Sequence, residues 1–344
     1  MRIADGEVIP YALPFREPYR TARGELLKRE MVLLRVHSSE GVLGLGEAVP
    51  LSLRGGESLK EVASELRGWL AAPQSGYDEL SAPARCAVTT ALLDLEGRSA
   101  GVPVWSLIGG ADPQPVRCNA TLSAAEPIRA AQRALDWANE GYSSFKLKVG
   151  VDNDVEQVSL VRSAIGPHAE LRVDANGAWT PAAAEESLTA MMADELELAE
   201  QPCATLSELA ELHARIELPI AGDESVTDAA AARVAAEAGA CDLATVKLSK
   251  VGGPREALAV AEELPVYLSS ALDGPVGIAA AAHTAQALRG HGDAGVAHGL
   301  ATQRLFAGTI AAEQCELREG FLCLPDGPGL GVEIDDAALQ RHRL

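Results

Sequence analysis

The sequence predicts an α/β protein: a (β/α) barrel of seven or eight units carrying an α+β capping domain. Three observations predict it. From about Pro115 to Leu317 the chain repeats an apolar strand-like run, a short loop and a helix-like run, an alternation that builds a parallel sheet with helical crossovers. Charged residues recur at the C-terminal ends of the strand-like runs: Lys148 in FKLKVG, Asp174 in LRVDANG, Glu200 in LELAEQP, Asp223 in LPIAGDES and Lys247 in LATVKLSK. Their intervals of 26, 26, 23 and 24 residues each match one strand, one helix and two short loops, which sets the five groups side by side around a barrel mouth. The first 114 residues follow a different pattern, with strands first and helices after.

Within residues 1–114, MVLLRVHSSEGVLGLGEAVP reads as two strands joined by a polar, glycine-ended turn. Helices are expected at about Ser58–Leu70 and Ala82–Ala100, the second stopped by Gly101 and Pro103. In residues 115–317, helix punctuation is clear: Thr180-Pro181 as cap and first helical residue, Thr205 to Glu208 as a capping box, Gly239 as a stop, and Pro254 after two glycines. Residues 318–344 are rich in Gly and Pro and hold no further full unit. This segment is expected to pack back on the cap and complete it.

Composition narrows the function classes. The 344 residues are 47% hydrophobic with mean hydropathy +0.05, as in a soluble chain able to bury one large core and a smaller domain. Twenty-nine basic and 49 acidic residues leave a net charge of −20, a field that repels nucleic acid and anionic membranes. The expected partner is therefore a small molecule, held by local positive charge if it is an anion. Six scattered cysteines with no CxxC pair argue against a disulfide framework or a zinc site. The N-terminus MRIADGEVIPYALPF lacks a signal layout, and no uncharged apolar run approaches the roughly 20 residues of a membrane span. A reducing cytoplasm is the expected location.

In SSFKLKVG, Phe145, Leu147 and Val149 alternate with Lys146 and Lys148, so both ammonium groups leave the strand on one side. An isolated KxK would read as a solvated edge. Carboxylates following at barrel spacing place it in the interior. Asp174, Glu200 and Asp223 offer three oxygen ligands with no nearby His or Cys, a set that suits Mg²⁺ better than Zn²⁺. Lys247 stands across the mouth from Lys148, where desolvation and nearby positive charge lower an amine's pKa and make it usable as a base. Lys250 is expected to face the following loop and solvent. Ser269 and Ser270 end the next strand, where they either bind a substrate carboxylate or fill the barrel.

KLK, VDANGAW, AEQP, GDES and VKLSKVGG, in this order and followed by SSALDGPVGIAAAAH, resemble the enolase superfamily, in particular its muconate lactonizing enzyme subgroup. The resemblance covers nearly the whole chain and implies a TIM-type barrel with an N-terminal cap. It implies that Asp174, Glu200 and Asp223 bind Mg²⁺, with Mn²⁺ as a substitute, that Lys148 and Lys247 flank the substrate, and that Lys146 helps neutralise its carboxylate. The implied shared step is removal of a proton α to a carboxylate, with an enediolate held by the metal. Self-association into a homo-oligomer is common in such barrels.

Within the subgroup, AEQPCATLSELAELHARIELPIAGDES, LSSALDGPVGIAAAA and HGLATQRL are most similar to the o-succinylbenzoate synthase family, which are lyases. Dipeptide epimerases are similar but carry an acidic DxD pair near the last strand; AHGLAT here has His298 and Leu300. The long cap with ALLDLEGRSAGVPVWSLIGG, together with KLSKVGG and LDG, departs from the synthase pattern and keeps N-succinylamino acid racemase and muconate cycloisomerase open, both isomerases. Specificity is expected in the cap around PFREPYRTARGE, where Arg16, Arg20 or Arg23 could meet a distal carboxylate. A phosphate-binding barrel is disfavoured, because Gly44 and Gly46 sit in a hairpin. A non-catalytic relative is disfavoured because the whole site is retained.

Overall fold

Strands β1 (Ile3–Thr21), β2 (Gly24–Ser38) and β3 (Leu43–Ala48) form an antiparallel sheet in that order. The computed structural model describes residues 2–21, 24–52, 55–123 and 126–344, excepting the side chains of residues 20, 21 and 24. Period-two alternation splits β2 between two cores. Val32, Leu34 and Val36 pack with Leu66, Trp69 and Leu95 of helices α1 (Leu59–Ala71) and α2 (Ala82–Ala100), while Met31 and Leu33 join the barrel core. The cap sheet is thus covered by its own helices on one side and by the barrel on the other. Helix α2 lies so close on β3 that a Cβ at Gly46 would stand 1.9 Å from the Ala87 carbonyl oxygen.

The cap helices start and stop where expected. Ser58 and Glu61 make a reciprocal capping box on α1, and Gly101 ends α2 in the left-handed conformation. The segment PFREPYRTARGE, where specificity is expected, belongs to the β1–β2 pair: β1 runs through it as strand as far as Thr21, and β2 begins at Gly24. Pro10, Pro14 and Pro18 conceal that strand in the sequence. They are tolerated because β1 is the edge of its sheet, where fewer backbone N–H groups are needed.

After α3 (Val104–Leu107) and β4 (Val116–Arg117) come β5 (Ala120–Leu122), α4 (Pro127–Asn139), β6 (Ser144–Lys148), α5 (Asp154–Ile165), β7 (Glu170–Asp174) and α6 (Pro181–Met191). They continue with β8 (Ala199–Glu200), α7 (Leu206–His213), β9 (Ile220–Gly222), α8 (Ala229–Glu237), β10 (Leu243–Val246), α9 (Leu248–Val251), α10 (Pro254–Ala261), β11 (Val266–Leu268) and α11 (Pro275–Leu288). Strands β5 to β11 pair in parallel in chain order as a seven-stranded sheet. The ring is completed by a short extended segment, with His298 bridging Cys118 and Gly299 bridging Ser269. That segment occupies an eighth position between β11 and the chain entering β5.

The C-terminal segment returns to the cap. Strands β12 (Ala311–Glu313), β13 (Glu316–Arg318), β14 (Phe321–Cys323) and β15 (Glu333–Ile334) precede α12 (Asp336–His342), and β14 pairs with β4. Leu330 N–H bonds Asp94 at 2.7 Å, Arg98 donates to the Val332 carbonyl at 2.6 Å, and Asp336 pairs with Arg35. All six cysteines are free thiols and five are buried. Among the described residues no helix is long and apolar enough to cross a membrane.

Candidate active site

Register aligns the charged strand ends. Lys148 of β6 is the pairing partner of Asp174 on β7, Asp174 of Glu200 on β8, and Glu200 of Ala221 on β9, two residues before Asp223. Side chains at that spacing share one face of a strand, so Asp223 joins the interior row. Asp174, Glu200 and Asp223 are each 0% exposed. Three buried carboxylates need compensating positive charge.

Four lysines supply it. Lys146 donates to both Glu200 oxygens at 2.6 Å and pairs with Asp174 at 2.8 Å. Lys148 bonds Asp174 and also Asn176 Oδ1 at 2.8 Å. Lys247 bonds Asp223, whose other carboxylate oxygen accepts from Lys250 at 2.8 Å. Lys250 was expected in solvent. Instead the short helix α9 turns it back under the mouth, where it also donates to the Asp223 and Thr245 carbonyls. Burial alone would lower Lys146, but Asp174 and Glu200 outweigh it and hold the ammonium well above its usual range. Burial would likewise raise Asp174, and Lys146 and Lys148 override it, so this carboxyl stays ionised well below the usual range. Burial and the Asp174 charge push Glu200 up.

Among the described residues no three His, Cys, Asp or Glu side chains stand close enough to share one ion; the oxygens turn to ammonium groups instead. The donor set nonetheless fits a hard divalent cation. It is all-oxygen, anionic, buried and already holds positive charge. A cation there would take over carboxylate oxygens that the ammonium groups now hold.

Other expected residues fall less centrally. Ser269 follows β11 and bridges the closing segment, while the Ser270 hydroxyl donates to Asp273 at 2.7 Å and accepts from its N–H at 2.9 Å, shaping the turn into α11. Arg16 donates to the Arg304 carbonyl at 3.1 Å and tethers the cap hairpin to the barrel. Arg23 lies outside the described residues, as does the side chain of Arg20. His298 is buried and accepts from Leu268 N–H at 2.9 Å; desolvation lowers it to about 4, so it is neutral. Leu300 is buried as well, leaving no acid at either position.

Tyr267 escaped the sequence reading. Its hydroxyl bonds Glu200 from below, and its ring lies under the Arg172 guanidinium, 5.0 Å from it. The signal was available: Tyr267 precedes Ser269 by two residues and shares its face.

The chain belongs to the enolase superfamily: residues 129–338 match the enolase C-terminal domain-like family, and residues 5–109 match the mandelate racemase / muconate lactonizing enzyme N-terminal domain. It is 42% identical over 244 residues to the o-succinylbenzoate synthase of Thermobifida fusca, covering 66% of this chain and 75% of that one. It is 30% identical over 358 residues to muconate cycloisomerase 1 of Rhodococcus opacus, covering 95% of each. Among solved structures, the dipeptide epimerase of Enterococcus faecalis, complexed with Mg and the dipeptide L-Leu-L-Tyr, superposes with TM-score 0.90 at 28% identity over 97% of this chain and all of that one. Lyases and isomerases both occur among these relatives.

Proposed function

We propose that this enzyme removes the proton α to a carboxylate of a small molecule, and that its net reaction is the dehydration of 2-succinyl-6-hydroxy-2,4-cyclohexadiene-1-carboxylate, the o-succinylbenzoate synthase reaction. One observation carries the first part. Lys148 ends β6 and Lys247 directly follows β10, four positions apart in a ring of eight, so their amines face each other across the mouth with the three carboxylates between them. A planar substrate held there has an amine on each face.

Asp174, Glu200 and Asp223 would hold Mg²⁺, which supplies positive charge against the negative charge that builds on the substrate carboxylate. Lys148, with 21% of its side chain exposed against 7% for Lys247, is the more accessible amine and serves as the base. It takes the α-proton and returns it to the departing hydroxide: the C–H and C–O bonds break, a C=C bond forms and water leaves. Lys247 stays an ammonium and stabilises the charge on the opposite face.

The dehydration reading is supported by the 42% identity to a synthase and by neutral, buried His298 and Leu300, which offer no anion to a free amine. Isomerisation is the second reading, favoured by the near full-length identity to a cycloisomerase and by the paired amines, which also suit N-succinylamino acid racemisation. Purified protein with Mg²⁺ should consume the cyclohexadiene with loss of its ultraviolet absorbance, faster than it racemises N-succinylamino acids, epimerises dipeptides or cycloisomerises muconate. Efficient isomerisation with negligible dehydration would overturn the assignment.

A further inference from the structure

We infer that Tyr267 is a positioning residue for Glu200 and sets the affinity of the cation site. The three carboxylates are held differently. Asp174 Oδ1 accepts its own turn's Asn176 N–H at 3.0 Å, and the Asp223 backbone is pinned by Gln201 at 2.7 Å. Glu200 has a longer side chain on a two-residue strand, and Gln201 leaves that strand at once with φ of +40°. Its carboxylate accepts no backbone N–H among the described residues. Among the described residues its hydrogen-bond donors are Lys146 and Tyr267.

Those two donors differ in what a cation does to them. An ammonium and a divalent ion compete for the same oxygens, so Lys146 yields when an ion arrives. A phenol is neutral and its bond leaves the oxygen a second lone pair, so Tyr267 can stay in place. It is also rigid: the ring packs with Leu198, Ala221 and Leu243 on the barrel floor, under Arg172, which is itself bonded to Glu197 and to the Ala297 carbonyl. Groups that orient a metal ligand from outside contribute about 10–100-fold in ion affinity.

The inference rests on reading Asp174, Glu200 and Asp223 as cation ligands. The test is the dissociation constant of Mg²⁺ alone, measured by calorimetry without substrate, for the wild type, Tyr267→Phe and Leu243→Ala. Tyr267→Phe keeps the ring and removes the donor, and should bind Mg²⁺ about tenfold more weakly. Leu243→Ala loosens the same floor without touching a carboxylate, and should bind within about twofold of wild type. Unchanged affinity in Tyr267→Phe overturns the inference, as does an equal loss in both variants or failure of Tyr267→Phe to fold, since each makes the hydroxyl a packing element. A wild type that binds no Mg²⁺ fails at the earlier step and removes the ligand reading with it.

Discussion

Glu47 Oε1 accepts the backbone N–H of Gly274 at 2.6 Å, so a carboxyl from the cap fills the N-terminus of barrel helix α11. Tyr11 of β1 donates to its other oxygen at 2.8 Å, Asp273 lies beside it, and Arg29 of β2 acts on Asp273. Burial and the Asp273 charge push Glu47 from its ordinary 4.5 up to about 7. The helix N-terminus favours the anion, yet desolvation outweighs it.

This joint makes stability depend on pH. Between pH 4.5 and about 7 the folded chain keeps a Glu47 proton that the unfolded chain has released, so the contribution is full below 4.5 and is lost as pH rises through 7, about 3 kcal/mol in all. Glu47→Gln keeps the shape without the titration. The difference in melting temperature between wild type and variant should move against the wild type across that window; a flat difference would show that Glu47 ionises normally.

Gly277 makes the same joint tight. A Cβ there would stand 2.8 Å from both Asp273 Cβ and Glu47 Oε1, so Gly277→Ala should cost about 1–3 kcal/mol as an overpacking change. Denaturant unfolding that matches wild type would show that the cap has room to withdraw.

Asp223→Asn leaves Lys247 and Lys250 without their carboxylate. Removing one partner of a buried pair costs about 3–5 kcal/mol, the amide oxygen recovering part of it. Melting should fall, and the rise in melting temperature on adding Mg²⁺ should disappear. A variant that melts normally and still responds to Mg²⁺ would exclude Asp223 from the ligand set.

Lys148→Ala and Lys247→Ala should each reduce turnover by roughly 10²–10⁴, with substrate binding less affected. Solvent deuterium exchange at the α-carbon separates the two: loss of Lys148 should stop it, whereas loss of Lys247 should slow it. Near-normal turnover in either variant would place that amine away from the reacting carbon.

The strand ends were legible in the sequence because barrel geometry forces one functional residue per unit, and a fixed unit length turns into a fixed spacing. Caps at Ser58, Thr180 and Thr205 were legible because they satisfy local backbone donors. What stayed hidden depends on distant contacts. Strand β1 was masked by its prolines, and the eighth barrel position is a short bridging segment around His298 and Gly299 with no apolar run of its own. Lys250 read as a solvent-facing charge and Glu47 carried no local signal, because each is enclosed only when another element closes over it.

Four ammonium groups against three carboxylates make the barrel its own electrolyte. Domains whose ligand side chains repel one another must load their ion in order to fold. Here the lysines stand as internal counterions to the three carboxylates, so charge repulsion among those side chains is answered within the chain itself.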